Sequence, residues 1–142
     1  GLTIDQLNEI GKKEKWTDEE CDKLLEKMGK EQDNIVFDSR LAWHFIPKSV
    51  NLFLDVDLKE AARRIFADQR QDELKQESIE GMQKAITKRQ NDDAVRYKKW
   101  YNIDFLDLKN YDFVIDTTDK TKEQVIAIIS SFLRKRAGKV VI

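Results

Sequence analysis

The patterning of these 142 residues predicts an α/β fold, a parallel sheet wrapped by helices. The apolar runs NIVFD (34–38), NLFLDV (51–56) and YDFVID (111–116) hold consecutive apolar residues instead of strict alternation, as strands buried on both faces do. Helix-period segments follow them, and strand-then-helix repetition is the pattern of parallel strands joined by crossovers. Residues 66–101 break that rhythm with a long charged stretch lacking any strand-like run, so they read as one or two helices projecting between two strands.

Four helix starts follow from capping boxes: Thr3-x-x-Gln6, Thr17-x-x-Glu20, the looser Asp57-x-x-Glu60, and Thr121-x-x-Gln124. The helix after Thr17 is expected to gather Cys21, Leu24, Leu25 and Met28 on one side and to stop at Gly29. The last helix gathers Val125, Ile128, Ile129, Phe132 and Leu133 in the same way. The chain divides as a single domain. Residues 1–33 form a helical region, 34–65 and 111–136 the α/β core, 66–101 a helical lid insertion, and 137–142 an extra tail or strand.

Charge excludes some roles. The chain carries 26 basic and 27 acidic residues, a formal net charge of −1, so no global basic field supports coating a nucleic acid. The apolar runs are short, so no membrane span is expected, and GLTIDQLNEI carries no secretory apolar region. The one cysteine, Cys21, excludes an internal disulfide and any multi-cysteine metal site within one chain. A cytoplasmic, reducing setting is the expectation, with no metal ligands assigned.

The candidate chemistry lies in two places. In KRQNDDAVRY (88–97), Arg89, Asp93 and Arg96 fall at i, i+4 and i+7 on one helical face. At ~100° per residue this face continues the stripe of Ile79, Met82 and Ile86 and runs on to Trp100. The charged trio therefore belongs to the inward side of its own helix, where arginines need carboxylates or ligand phosphates. A plain Arg89–Asp93 helix pair with Arg96 solvated is the alternative. The second place is NIVFDSRLAWHF, where Asp38, Ser39 and Arg40 follow a strand at the end where open α/β sheets bind ligands. A local turn at Asp38 is the alternative there. His44, beside Trp43 and Phe45, reads as an aromatic neighbour. Of Arg63 and Arg64 only one can face the same cleft.

NIVFDSRLAW resembles the strand and arginine turn of the cytidylate kinase family, especially its archaeal-type branch. KRQNDDAVRYKKWYNID resembles that family's lid, with the spacing R-x-x-x-D-x-x-R, and YDFVIDTTDKTKEQVIAII its closing strand and helix. The resemblance implies a P-loop nucleoside monophosphate kinase-like fold, with residues 1–33 as its monophosphate-binding region. It also implies phosphoryl transfer from ATP, with Mg2+, to CMP or dCMP. By position it gives Arg89, Arg96 and Asp93 catalytic roles, and Asp38, Arg40 and Arg64 substrate-binding roles. Such a reaction relies on positioning and positive charge more than on a covalent nucleophile. Ser39 stands where the family usually has glycine, and Leu41 where the bacterial branch has aspartate.

The family's phosphate loop, G-x-x-x-x-G-K-[ST], does not occur in these residues, and Gly1, Gly11, Gly29, Gly81 and Gly138 are far apart. The expectation is therefore a kinase-like chain without the first strand and P-loop, binding no ATP or magnesium alone. The terminal KVVI resembles the strand that leads into such a loop, either filling that slot or forming a frayed tail. Three functions stay open: the CMP kinase, a non-catalytic nucleotide-binding relative or fragment, and a small α/β interaction domain. A sheet missing a strand is also expected to self-associate or take a complementing segment.

Overall fold

The computed structural model describes residues 4–68 and 76–138. Helices α1 (Ile4–Gly11) and α2 (Trp16–Glu31) open the chain, followed by the short α3 (Ala42–Phe45). Strand β1 (Leu52–Asp55) leads into α4 (Leu58–Ala67). The long α5 (Ile79–Tyr101) precedes β2 (Phe113–Asp116) and α6 (Lys122–Ala137). The molecule is a helix-rich α/β protein with a small parallel sheet, compatible with a kinase-like fold. The terminal KVVI (139–142) lies outside the described residues.

The two strands pair in parallel, Leu52 opposite Phe113 through Asp55 opposite Asp116. Ile115 is buried, and Phe113 stacks on Phe132 of α6 with ring centroids 4.4 Å apart. Asp112 fastens the start of the ladder by accepting from the Asn51 N–H at 2.8 Å and from Arg136 Nη1 at 2.9 Å. Together these hold its carboxyl below the usual range. The expected stripe of α6 is present but shallow: Val125, Ile128, Ile129 and Phe132 are half-buried, and Leu133 is exposed.

The expected strand at 34–38 does not form. Residues 35–39 have no regular secondary structure and no ladder partner among the described residues, and a strand exists only where neighbouring backbone groups can pair. Ile35 and Phe37 are half-buried while Val36 is 94% exposed, which is one-sided packing and not burial on both faces. The caps at Asp57 and Thr121 form as expected. Asp57 accepts from the N–H groups of Lys59 and Glu60, and Thr121 and Gln124 close a reciprocal box. The box at Thr17 does not form: α2 starts at Trp16, and the Thr17 hydroxyl donates to the Glu14 carbonyl at 3.3 Å. The Thr3 box falls largely outside the described residues.

Helix α2 buries the expected face only in part. Leu25 and Met28 are half-buried, but Cys21 is exposed and Leu24 is 56% exposed, while Asp22 is buried. Gly29 does not stop the helix, which continues to Glu31. Ile46 lies on it so closely that a Cβ there would stand 2.8 Å from both Ile46 Cγ atoms. The glycine serves a close approach, not a terminus.

Residues 79–101 of the expected lid form one continuous helix. Ser78 caps it by accepting from the Gly81 N–H at 3.0 Å, and Asn102, with φ 55°, ends it in the left-handed region. Its C-terminal half rests on a core of Leu41, Tyr97 and Phe105, against which Phe45, Ala94, Tyr101, Ile103 and Leu106 pack. At ~1.5–3 kcal/mol per large buried side chain, that core fixes the position of α5 against the loop carrying Arg40.

Candidate functional site: three arginines around a buried carboxylate

The stripe read from the sequence is the stripe α5 buries. Met82 is 5% exposed, Asp93 1% and Arg96 6%, with Ile79, Ile86, Arg89 and Trp100 half-buried. The simple alternative, Arg89–Asp93 paired and Arg96 in water, does not describe this arrangement. Asp93 Oδ1 lies 3.0 Å from Arg96 Nη2, and Asp93 Oδ2 pairs directly with Arg40 Nη1 from the loop after residues 35–39. A carboxylate this buried needs such partners, because isolated it would cost several kcal/mol.

Arg40 is pulled below the ordinary arginine value, first by loss of water around it and next by the charge of Arg89, with Arg96 adding to the effect. Its side chain is 41% exposed, so it stays in part reachable from solvent. Arg96 is held from a second side by Asp18 of α2, whose Oδ2 is 3.3 Å from Nε. Its Nη2 donates to the Tyr97 hydroxyl at 3.2 Å, with the guanidinium 5.0 Å from that ring's centroid. The end of α1 confines it further: a Cβ on Gly11 would stand 3.3 Å from Arg96 Nη1, and the Gly11 carbonyl accepts from Trp100 Nε1 at 3.2 Å.

Next to this cluster, Tyr101 donates its hydroxyl proton to Asp22, and burial pushes both the phenol and the Asp22 carboxyl up. Lys15 Nζ lies 5.3 Å over the Tyr101 ring. On the outer flank of α5, Lys12 and Lys88 each meet both Glu9 and Asp92, which latches α1 to the helix.

The sequence-predicted residues are thus partly gathered. Arg40, Arg89, Asp93 and Arg96 come together. Asp38 is exposed on the segment 35–39 and has no ion pair among the described residues. Arg64 is elsewhere: its Nη2 donates to the carbonyls of Thr117 and Thr118 at 2.8 and 2.9 Å, and its Nε to Glu60 at 2.7 Å. It pins α4 to the turn after β2. His44 is an exposed aromatic neighbour, edge-on to Trp43 and Phe45. Sequence reasoning missed Asp18, Asp22, Tyr97 and Tyr101. The available signal was the i, i+4 spacing of Asp18 and Asp22, which sets both on one side of α2.

Arg40 and Arg96 pair with Asp93, Arg96 also meets Asp18, and Arg89 is close enough for its charge to act on Arg40. Fixed arginine forks in such a place suit a phosphate dianion better than any neutral ligand. Among the described residues, no three His, Cys, Asp or Glu side chains are gathered as a metal site, and no helix is long and apolar enough to cross a membrane. A separate hollow of about 700 Å³, lined in part by Leu58, Lys84, Thr87 and Asn91, faces away from the arginine stripe of α5.

The fold and cluster define a helix-rich α/β protein built around an arginine-bearing helix. Residues 5–119 match the Cytidylate kinase-like family, and the chain belongs to that family. It is 34% identical to the S-adenosylmethionine-dependent nucleotide dehydratase of Lacinutrix mariniflava, over 95% of this chain and 27% of that protein. It is 31% identical to the cytidylate kinase of Methanocaldococcus jannaschii, over 92% of this chain and 72% of the relative. With the cytidylate kinase of Methanobrevibacter smithii it shares 28% identity, over 94% and 74%. The chain therefore spans roughly a quarter of the dehydratase and about three quarters of these two kinases. No solved structure matches it.

Proposed function

We propose that this chain supplies the monophosphate cleft and arginine-bearing lid of a nucleotide kinase, with CMP or dCMP as acceptor and MgATP as donor. The observation that carries this reading is the pairing of Arg40 and Arg96 with the buried Asp93, with the charge of Arg89 acting on Arg40, in a chain of the Cytidylate kinase-like family. Arg40, Arg89 and Arg96 bind the acceptor phosphate and steady the charge that spreads over the moving phosphoryl group. Asp93 positions two of these arginines, and Asp38, two residues from Arg40, reaches toward the base or sugar. Arg64 acts at one remove, by fixing the turn after β2.

The residues described here hold no phosphate-cradle motif for the donor. Among the described residues no three His, Cys, Asp or Glu side chains are gathered, and the five glycines form no loop motif. No step is therefore assigned through the metal, and the cradle has to come from outside these 142 residues. The two-stranded sheet has ladder edges that a second copy or a complementing segment can pair.

One observation favours a second reading, a non-catalytic nucleotide-binding module: the similarity to part of a protein named as a nucleotide dehydratase. Product analysis separates the two. Incubation with MgATP and CMP yields CDP and ADP in equal amounts on the kinase reading. CMP binding without CDP formation, with the cradle segment also present, supports the module.

A further inference from the structure

Arg96 is held by two carboxylates of different quality. Asp93, three residues away on the same helix, meets Nη2 at 3.0 Å, and its side chain is 2% exposed. Asp18 reaches across from α2 to within 3.3 Å of Nε, yet its Oδ2 is buried without a hydrogen-bond partner. Burial pushes the Asp18 carboxyl above the usual carboxylate range although Arg96 stands beside it. A well-satisfied ion pair does the opposite. Asp18 is also 19% exposed and so has a path to water that Asp93 lacks.

The guanidinium itself has little room to retreat. Gly11 and Thr17 close in on one side, Tyr97 lies beneath the guanidinium, and Trp100 is tied to the Gly11 carbonyl. If a second anion arrives at Arg96, it is the weakly held carboxylate that moves. A phosphate dianion carries more charge than a carboxylate and can accept from the Nε–H that Asp18 faces, while Nη2 stays with Asp93 and Tyr97. Asp18 makes only a Coulombic contact there, and two anions on one edge repel.

We propose that Asp18 is an internal stand-in for a ligand phosphate. It occupies the Nε edge of Arg96 when no phosphate is bound and turns out to water when one takes that edge. Asp18 is then a residue that sets affinity for phosphate-bearing ligands and leaves affinity for the nucleoside part alone. The proposal rests on the arginine cluster being a phosphate site, but not on the phosphate being that of CMP.

The test titrates inorganic phosphate, CMP and cytidine calorimetrically into the wild-type protein and Asp18→Asn, which removes the charge and keeps the shape. Phosphate and CMP are expected to bind Asp18→Asn about three- to tenfold more tightly than wild type, with cytidine unchanged. In wild type, the carboxyl carbon resonance of Asp18 is expected to move to the position of a solvated aspartate as phosphate saturates. This second reading holds even if the variant does not fold. Equal or weaker phosphate binding by a folded Asp18→Asn would overturn the proposal and make Asp18 a support for Arg96. Absence of phosphate binding to either protein would overturn it too. If Asp18→Asn tightens phosphate while CMP binds no better than phosphate, the nucleotide reading falls and this one stands.

Discussion

Arg40 and Asp93 are paired, one on a loop beyond the segment 35–39, the other midway along α5 and almost wholly buried. Their contact ties the loop after residues 35–39 to helix α5 and holds the Arg40 guanidinium beside Arg96. Around it the helix contributes Arg89 and Arg96, and α2 contributes Asp18.

Removing the shared carboxylate leaves the arginines facing one another. Asp93→Ala is expected to lower stability by about 3–5 kcal/mol, the range for breaking a buried pair from one side. Urea unfolding measures it. A loss below about 1 kcal/mol would mean the charges are far better solvated than this geometry allows.

Tyr101 is the hydrogen-bond donor that a buried Asp22 depends on. Tyr101→Phe is expected to cost about 1–3 kcal/mol at neutral pH. The pH dependence has a definite sign. Burial already holds the folded carboxyl of Asp22 above its unfolded value of 3.8, and losing the phenol raises it further. Such a group favours the fold when protonated, and that favour is lost as pH rises through the folded value. The penalty of Tyr101→Phe should therefore shrink as melts are repeated toward pH 3.8.

Glu60 behaves in the opposite sense. Hydrogen bonds from Arg63 and Arg64 lower its pKa from 4.5 to about 2. Its contribution is present above pH 4.5 and is lost as pH falls toward about 2. The difference in Tm between wild type and Glu60→Gln should shrink across that window and stay constant above it. A difference that persists at the acid end would show that Arg63 and Arg64 do not depend on the charge.

Gly29 tests the packing of α2. Alanine is the better helix former by about 1 kcal/mol, so on propensity alone Gly29→Ala stabilises. The new methyl would stand 2.8 Å from the Cγ1 and Cγ2 atoms of Ile46, a stiff β-branched neighbour that is 8% exposed. Overpacking of about 1–3 kcal/mol is expected to win, giving a lower Tm.

Helix α5 was the most legible element in the sequence. Its 3.6-residue stripe passes without a break from Met82 and Ile86 into Arg89, Asp93 and Arg96, and periodicity reports which side is buried whatever the chemistry of the residue. Asp57 and Thr121 were legible because a cap is a local bond between near neighbours. The run at 34–38 was misread as a strand because apolar composition records burial but not the presence of a ladder partner. Helix α2 was read correctly at Leu25 and Met28 and misread at Cys21 and Leu24, for a related reason. Its apolar residues Cys21 and Leu24 face out because Asp18 and Asp22 are drawn inward by Arg96 and Tyr101, partners far along the chain that no local pattern reveals. The pairing of Arg40 with Asp93 is non-local in the same way, although each residue could be singled out alone.

The central claim is that these arginines form a nucleoside-monophosphate phosphate site. Calorimetric titration with CMP, with AMP as control, at low and raised salt, tests it most directly. The account predicts binding of CMP in preference to AMP, weakened by salt and abolished in a folded Arg40→Ala variant. A folded protein that binds neither nucleotide, or binds CMP equally well after Arg40→Ala, would contradict it.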